Sequence, residues 1–310
     1  MFKDSFKYYK SRNPPPDLKH VIDVRYVDAT KVRSWVKRAS TCHVTGPQDE
    51  ILGLKPIKHW KLYRFFDIAD LIIIQNPFTR NGQRYWITKC LRDYSRKPYV
   101  SNLDAQKLLN NNDTWWDVSF GNSERAVNFL PKLRWSTLGY HHNWETKRYT
   151  EETKTDVPFE ICDLTQFLAR TVGFENFKAE AAIINYYRMN STLAGHTDHS
   201  ELNIDAPLIS LSFGQSAIFL IGGLTLADPA NALLLRSGDI LIMFGASRLR
   251  HHGVPKILQT FDVPWARDEW NDRYSPESDS EDWLKASRYI SEARINLSVR
   301  QVLKTGQITV

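Results

Sequence analysis

A mainly β core with helices packed against it, an α+β chain built as an antiparallel sandwich or barrel, is the fold class the sequence predicts. Three observations carry it. From Leu133 onward, short apolar segments bounded by Gly, Pro, Asn or Asp follow one another with one helical interruption. The last of them, EARINLSVRQV, alternates Ile295, Leu297 and Val299 with Arg294, Asn296, Ser298 and Arg300, the two-residue period of a strand. A chain of 310 residues, 42% hydrophobic and 12% aromatic, is long and apolar enough to bury a large core.

The opening MFKDSFKYYKSRNPPPD is basic and aromatic and lacks the apolar stretch and small-residue cleavage site of a secretory leader. NPPPDLK, residues 13 to 19, reads as a stiff proline linker. DATKVRSWVKRA, residues 28 to 39, carries helical signals. Residues 1–60 are therefore expected to form a basic N-terminal extension with a helical segment, ahead of a main domain over 61–310. The longest apolar run, IADLIIIQ at 68 to 75, falls far short of the ~20 residues a membrane helix needs, which predicts a soluble chain with no membrane partner.

After polar, asparagine-rich breaks come KLRWSTLGYHHNW as a strand and LTQFLARTVGF as a helix. The series EAAIINYY, APLISLSFG, SAIFLIGG, NALLLRSG and DILIMFG then supplies strands. RDEWNDRYSPESDSEDW, residues 267 to 283, is an acidic insert expected to be disordered, and no internal repeat is present.

Function begins with charge. A formal net charge of +6 and a pI near 9.1 favour polyanionic partners, nucleic acid among them. The three cysteines, Cys42, Cys90 and Cys162, have no CxxC spacing, which excludes a disulfide framework and a zinc ribbon and points to an intracellular protein. GHTDHSE places His196 and Asp198 two apart, so in an extended segment both side chains lie on one side and can converge on one ion. RLRHHGVP, residues 248 to 255, offers a third ligand in His251 or His252. Two histidines and one carboxylate form a three-point face that leaves positions open on an octahedral metal, the geometry of non-haem Fe(II) oxygenases. The polar face of the last strand adds Arg294 and Arg300, either as guanidinium forks in a pocket or as the wet side of an edge strand.

NYY, HTD, the HG of RHHGV and RINLSVR stand in the order of the NxY, HxD, H and RxNxTxR signatures of AlkB-type Fe(II)/2-oxoglutarate-dependent dioxygenases. The chain resembles that family, its AlkB homologue 1 branch in particular, from about residue 60, with 100 to 130 poorly matched. The resemblance implies a double-stranded β-helix, or jelly roll, buttressed by helices, and Fe(II), 2-oxoglutarate and O2 as cofactors. Carried over residue by residue, it makes His196, Asp198 and His252 the iron ligands, His252 being preferred because Gly253 follows it. Arg294 then pairs with the distal carboxylate of 2-oxoglutarate and Arg300 lies nearer the metal, with Asn296 on the same face and Asn185 and Tyr187 on the co-substrate. His199 departs from the pattern and reads as a surface or supporting residue.

Trp135, Tyr140 and His142 are candidates to stack on a substrate base, and plain core is the alternative for such aromatics. The implied reaction hydroxylates an N-methyl group, whose hemiaminal releases formaldehyde while 2-oxoglutarate becomes succinate and CO2. Its implied substrate is tRNA carrying 1-methyladenine, with modified cytosine and N6-methyladenine in unpaired DNA as further candidates. A protein-directed dioxygenase acting on histone is the second reading, and a non-catalytic RNA-binding module the third. The expected protein is a monomer of the nucleus or cytoplasm, with the mitochondrion as an alternative.

Overall fold

A computed structural model describes residues 1–26, 36–39, 52–110, 112–121, 124–266 and 280–310, the segment 36–39 through its backbone alone. The first strands are β1 Val36–Ala39, β2 Lys61–Phe65, β3 Leu71–Gln75, β4 Val100–Ser101, β5 Trp135–Gly139, β6 Ala181–Arg188 and β7 Leu193–His196. They are followed by β8 Leu208–Gly214, β9 Ser216–Ile221, β10 Asn231–Leu235, β11 Ile240–Met243, β12 His252–Leu258 and β13 Ala293–Arg300. The larger sheet runs β1-β2-β3-β11-β8-β13-β6-β5-β4 and the smaller β10-β9-β12-β7, every ladder antiparallel. The two sheets face each other as a jelly roll, and helices cover the outside of the larger one.

Alternation along the central strands sorts side chains between these layers. Ile295, Leu297 and Val299 of β13, Ala182, Ile184 and Tyr186 of β6, and Ile209, Leu211 and Phe213 of β8 face the helices. There they meet Trp86 and Ile87 of the helix Arg80–Thr88 and Leu164 and Leu168 of the helix Phe159–Thr171. Each fully buried side chain of this size contributes about 1.5–3 kcal/mol. The opposite faces of the same strands carry Arg294, Asn296, Ser298, Arg300, Asn185, Tyr187 and Ser210 into the space between the sheets. The outer face of the smaller sheet is covered by the helix Phe2–Lys10, whose Phe2 and Tyr9 pack on Ile218, Leu220 and Ala232.

The structure corrects two expectations and bears on a third only at its C-terminal end. The edge-strand reading of β13 fails, because β13 lies between β8 and β6 with both edges paired. The helical reading of residues 28 to 39 ends in a strand: Val36–Ala39 extends the sheet on β2, sheet pairing overriding local propensity, while 28 to 35 lie outside the described residues. The acidic insert ends in order, since Ser280 caps the helix Glu281–Ile290 by accepting from the Trp283 N–H; residues 267 to 279 lie outside the described residues. Glu281 and Asp282 stand in that helix's first turn, where its dipole favours negative charge. No helix among the described residues is long and apolar enough to cross a membrane.

Candidate active site

His196 ends β7 and His252 begins β12, and the two residues are direct cross-strand partners. Gly253 permits this: a Cβ there would lie 2.9 Å from the Leu193 carbonyl oxygen, so only glycine lets the strands close. Asp198 follows on the loop after β7, and ligand atoms of His196, Asp198 and His252 all lie within 4.8 Å of one another. Asp198 approaches His196 Nε2 at 3.8 Å through Oδ1 and His252 Nε2 at 3.7 Å through Oδ2. Each imidazole is anchored from behind. His196 Nδ1 lies 2.9 Å from the Ala194 carbonyl and His252 Nδ1 3.1 Å from that of Arg250. With Nδ1–H donating to those carbonyls, the lone pair of each Nε2 points into the cluster, as metal ligation requires.

Burial pushes the His252 imidazole down to about 4, the neighbouring His196 adding to the effect, so it is neutral at physiological pH. Burial opposes ionisation of Asp198, but Arg300 and the two histidines outweigh it and hold the carboxyl well below its usual range. An anionic carboxylate flanked by neutral imidazole suits a divalent cation.

Inward of this cluster lies a pocket walled by Asn185, Tyr187, Ser210, Arg294 and Asn296. Its cavity volume is about 50 Å³ on a scale where one water needs about 10–15 Å³, which suits a small ligand. Arg294 closes its far end. Only 1% exposed, it donates to Ser212 Oγ at 2.8 Å, and among the described residues it has no carboxylate partner and its buried Nε no hydrogen bond. Burial lowers its pKa to about 10, which leaves it cationic at neutral pH. A buried, unpaired guanidinium costs several kcal/mol unless an anion meets it. The residues present therefore fit a metal at one end of the pocket and a carboxylate at the other.

Arg300 sits differently from Arg294. Its Nη2 donates to Asp198 Oδ2 at 2.8 Å and its Nε lies 3.3 Å from Glu201 Oε1. Asn296 donates to Ser210 Oγ at 2.7 Å and to the Leu211 carbonyl at 3.1 Å. Asn185 and Tyr187 of β6 line the same pocket, and burial raises the Tyr187 phenol to about 12.

Outward of the cluster opens a cleft of about 510 Å³, walled by His142, Trp144, Lys147, Tyr149, His199 and His251. Of the three stacking candidates, His142 lines it. Tyr140 instead belongs to a buried cluster with Tyr149, Ala181, Val302 and Leu303. Trp135 packs behind Trp144, ring centroids 5.5 Å apart. His199 is bound locally to Thr197, and His251 turns its ring toward Phe2.

The sequence reading missed Trp144, 47% exposed on the cleft wall with its ring 4.7 Å from that of His142, and it missed Lys147. It also missed Glu201 and Arg248, which pair at 2.8 Å beneath the loop that carries Asp198. Trp144 closed the segment KLRWSTLGYHHNW, so its place on a loop after the strand was the available signal. Nothing local to Glu201 or Arg248 announces a pair 47 residues apart.

Residues 70–300 match the profile of a family described as the 2OG-Fe(II) oxygenase superfamily. The chain is 38% identical over 331 residues to "Nucleic acid dioxygenase ALKBH1" of Mus musculus, an alignment that covers 99% of this chain and 85% of that protein. It is 38% identical over 276 residues to "tRNA demethylase abh1" of Schizosaccharomyces pombe, covering 82% of this chain and 84% of that one. With "DNA N(6)-methyladenine demethylase ALKBH1A" of Arabidopsis thaliana the identity is 37% over 185 residues, 58% of this chain and 52% of that one. The similarity thus reaches well N-terminal of residue 60, where the motif resemblance was expected to begin.

Proposed function

The chain belongs to the 2OG-Fe(II) oxygenase superfamily, and from that premise we propose that it oxidatively demethylates N-methylated bases of nucleic acid, in tRNA first and in unpaired DNA second. One arrangement carries the reading: the His196–Asp198–His252 cluster stands between a closed pocket ending in the unpaired Arg294 and an open cleft faced with His142 and Trp144. His196, Asp198 and His252 would hold Fe(II). Arg294 would take the distal carboxylate of 2-oxoglutarate, with Tyr187, Asn185 and Asn296 along its length. When bound, this pair supplies O2-driven hydroxylation coupled to release of succinate and CO2.

The chain's own residues do the rest. Asp198, kept anionic by Arg300, offsets cation charge, and the backbone carbonyls of Ala194 and Arg250 hold both imidazoles in the ligating tautomer. Tyr187 and the apolar Leu208, Leu235, Leu241 and Met243 line the inner pocket and keep it poor in water. The ring faces of His142 and Trp144 suit a base already out of its stack, and Lys147 stands on the same wall for a phosphate. A hydroxylated N-methyl group collapses to the free amine and formaldehyde. Preference for tRNA rests on the relative of that name, which aligns over more of the chain than the DNA-named one. Work on nucleic acid suits the nucleus, the cytoplasm or the mitochondrion.

The test is purified protein with Fe(II), 2-oxoglutarate and ascorbate incubated with total tRNA, followed by nucleoside mass spectrometry. Loss of 1-methyladenosine with stoichiometric succinate is expected, and unpaired DNA carrying N6-methyladenine should react more slowly. An unchanged nucleoside profile beside an oxidised methylated histone peptide would overturn the reading.

A further inference from the structure

Beneath the metal cluster lies an ionic network, two members of which, Glu201 and Arg248, neither ligate the cluster nor line the co-substrate pocket. Glu201 is 5% exposed and accepts from two donors, Arg248 Nη2 at 2.8 Å and Tyr149 Oη at 2.7 Å, while Arg300 Nε stands 3.3 Å away as an ion-pair partner. Arg248, 2% exposed, also donates from Nη1 to the backbone carbonyl of Asp198 at 2.7 Å. Arg300 donates to the Asp198 side chain at 2.8 Å. Asp198 is thus gripped by backbone and carboxylate from two guanidinium groups, and both are fastened to one carboxylate, that of Glu201.

We propose that Glu201 is a positioning residue for the metal carboxylate, fixing Asp198 through Arg248 and Arg300 and tying it to the wall of the outer cleft through Tyr149. The inference rests on Asp198 being a metal ligand. Its physical basis is charge balance. Four charges, the Asp198 carboxylate partly buried and the other three buried, alternate in sign along Asp198, Arg300, Glu201 and Arg248, so each guanidinium is held between two oxygen partners and has one orientation that satisfies both. Without the Glu201 charge, Arg300 and Arg248 lose their shared anchor. Asp198 then becomes the one carboxylate for two cations and is drawn from the position in which its Oδ1 and Oδ2 face the two histidines. Tyr149 sits at the base of the segment that carries His142 and Trp144, its ring 5.4 Å from His142, so the cleft wall and the cluster share one rigid support.

The experiment uses the full chain loaded with Co(II), whose visible absorption reports coordination geometry without turnover. Glu201→Gln keeps the shape and removes the charge, Tyr149→Phe removes only one donor, and Asp198→Ala is the control for the ligand. In Glu201→Gln, Co(II) affinity should fall by about 10–100-fold with an altered visible band, as losses behind a metal ligand commonly do. Tyr149→Phe should show a smaller change in the same direction with an unchanged melting temperature of the metal-free protein, and it decides the matter if Glu201→Gln does not fold. Glu201→Asp should recover part of the affinity. Parent-like affinity and spectrum in both Glu201→Gln and Tyr149→Phe, with Asp198→Ala unable to bind, would overturn the proposal and leave the ligand assignment standing. Parent-like binding by Asp198→Ala would strike the ligand assignment itself, and the proposal with it.

Discussion

His252 rather than His251 completes the cluster because neighbours on a strand point to opposite sides, and the first residue of β12 is the one opposite His196. Alanine at His196, Asp198 or His252 should therefore abolish both turnover and retention of Fe(II), since two ligands leave an ion that water can strip. His251→Ala and His199→Ala should keep most of both, one ring being turned toward Phe2 and the other bound to Thr197. Metal content by mass spectrometry after desalting checks all five variants, and a metal-free His251→Ala beside a loaded His252→Ala would reverse the assignment. Arg294 is read by titration instead. A buried carboxylate stripped of its guanidinium forfeits roughly 3–5 kcal/mol, so Arg294→Ala should raise the 2-oxoglutarate requirement by on the order of a hundredfold or more and leave the nucleic-acid requirement nearly unchanged. Arg294→Lys should recover only part, because a point charge replaces a fork. An unaltered co-substrate titration in Arg294→Ala would remove that residue from the pocket.

Strand β13 and the segment after β5 mark how far the sequence could be read at the level of elements. The alternation of β13 announced two faces, and the repeated short apolar segments announced the sheets around it, so the site's inner pocket was legible. What alternation leaves open is which face is wet. Sheet order decides that, and here it places β13 between two neighbours. In KLRWSTLGYHHNW the aromatics are equally suited to core and cleft, and the backbone settles each one. Gly139 has φ +73° and ends β5, after which Tyr140 turns into the core and Trp144 reaches the cleft wall. Strands β2, β3, β4, β7 and β12 are not assigned from the sequence, each being only two to seven residues long and completed by the neighbours that pair with it. This element carries its own test. Trp144→Ala should weaken turnover on methylated RNA by about 1–3 kcal/mol, Trp144→Phe should restore most of it, and neither effect should depend on salt. Tyr140→Phe should leave substrate KM within experimental error, its hydroxyl being bound to Glu151. A Tyr140→Phe defect larger than that of Trp144→Ala would move the platform from one residue to the other.

For the whole molecule, a net charge of +6 says how many cations are in excess but not which are available to a phosphate. The segment RDYSRKP, residues 92 to 98, is basic and by its sequence alone could contact phosphates. In the fold Arg92 donates to both Asp93 and Asp282 and joins the helix Arg80–Thr88 region to the helix Glu281–Ile290, while Arg96 leans on Asp93 at 3.6 Å. A second basic run, KVRSWVKR at 31 to 38, falls on residues described by backbone alone or not described. Lys147 differs from Arg92 in both respects, being exposed on the cleft wall with no carboxylate partner among the described residues. Binding of a stem-loop RNA measured across a salt series separates the two kinds of cation. Each phosphate contact contributes about 0.7–0.9 to the log–log slope, so Lys147→Ala should lower the slope by about that amount at an unchanged melting temperature. Arg92→Ala should do the reverse, lowering the melting temperature through loss of its bridge and leaving the slope where it was. A slope that falls in Arg92→Ala and stays constant in Lys147→Ala would mean that nucleic acid approaches from the helical side of the larger sheet, and the open cleft would then have to be reassigned to something other than the substrate base.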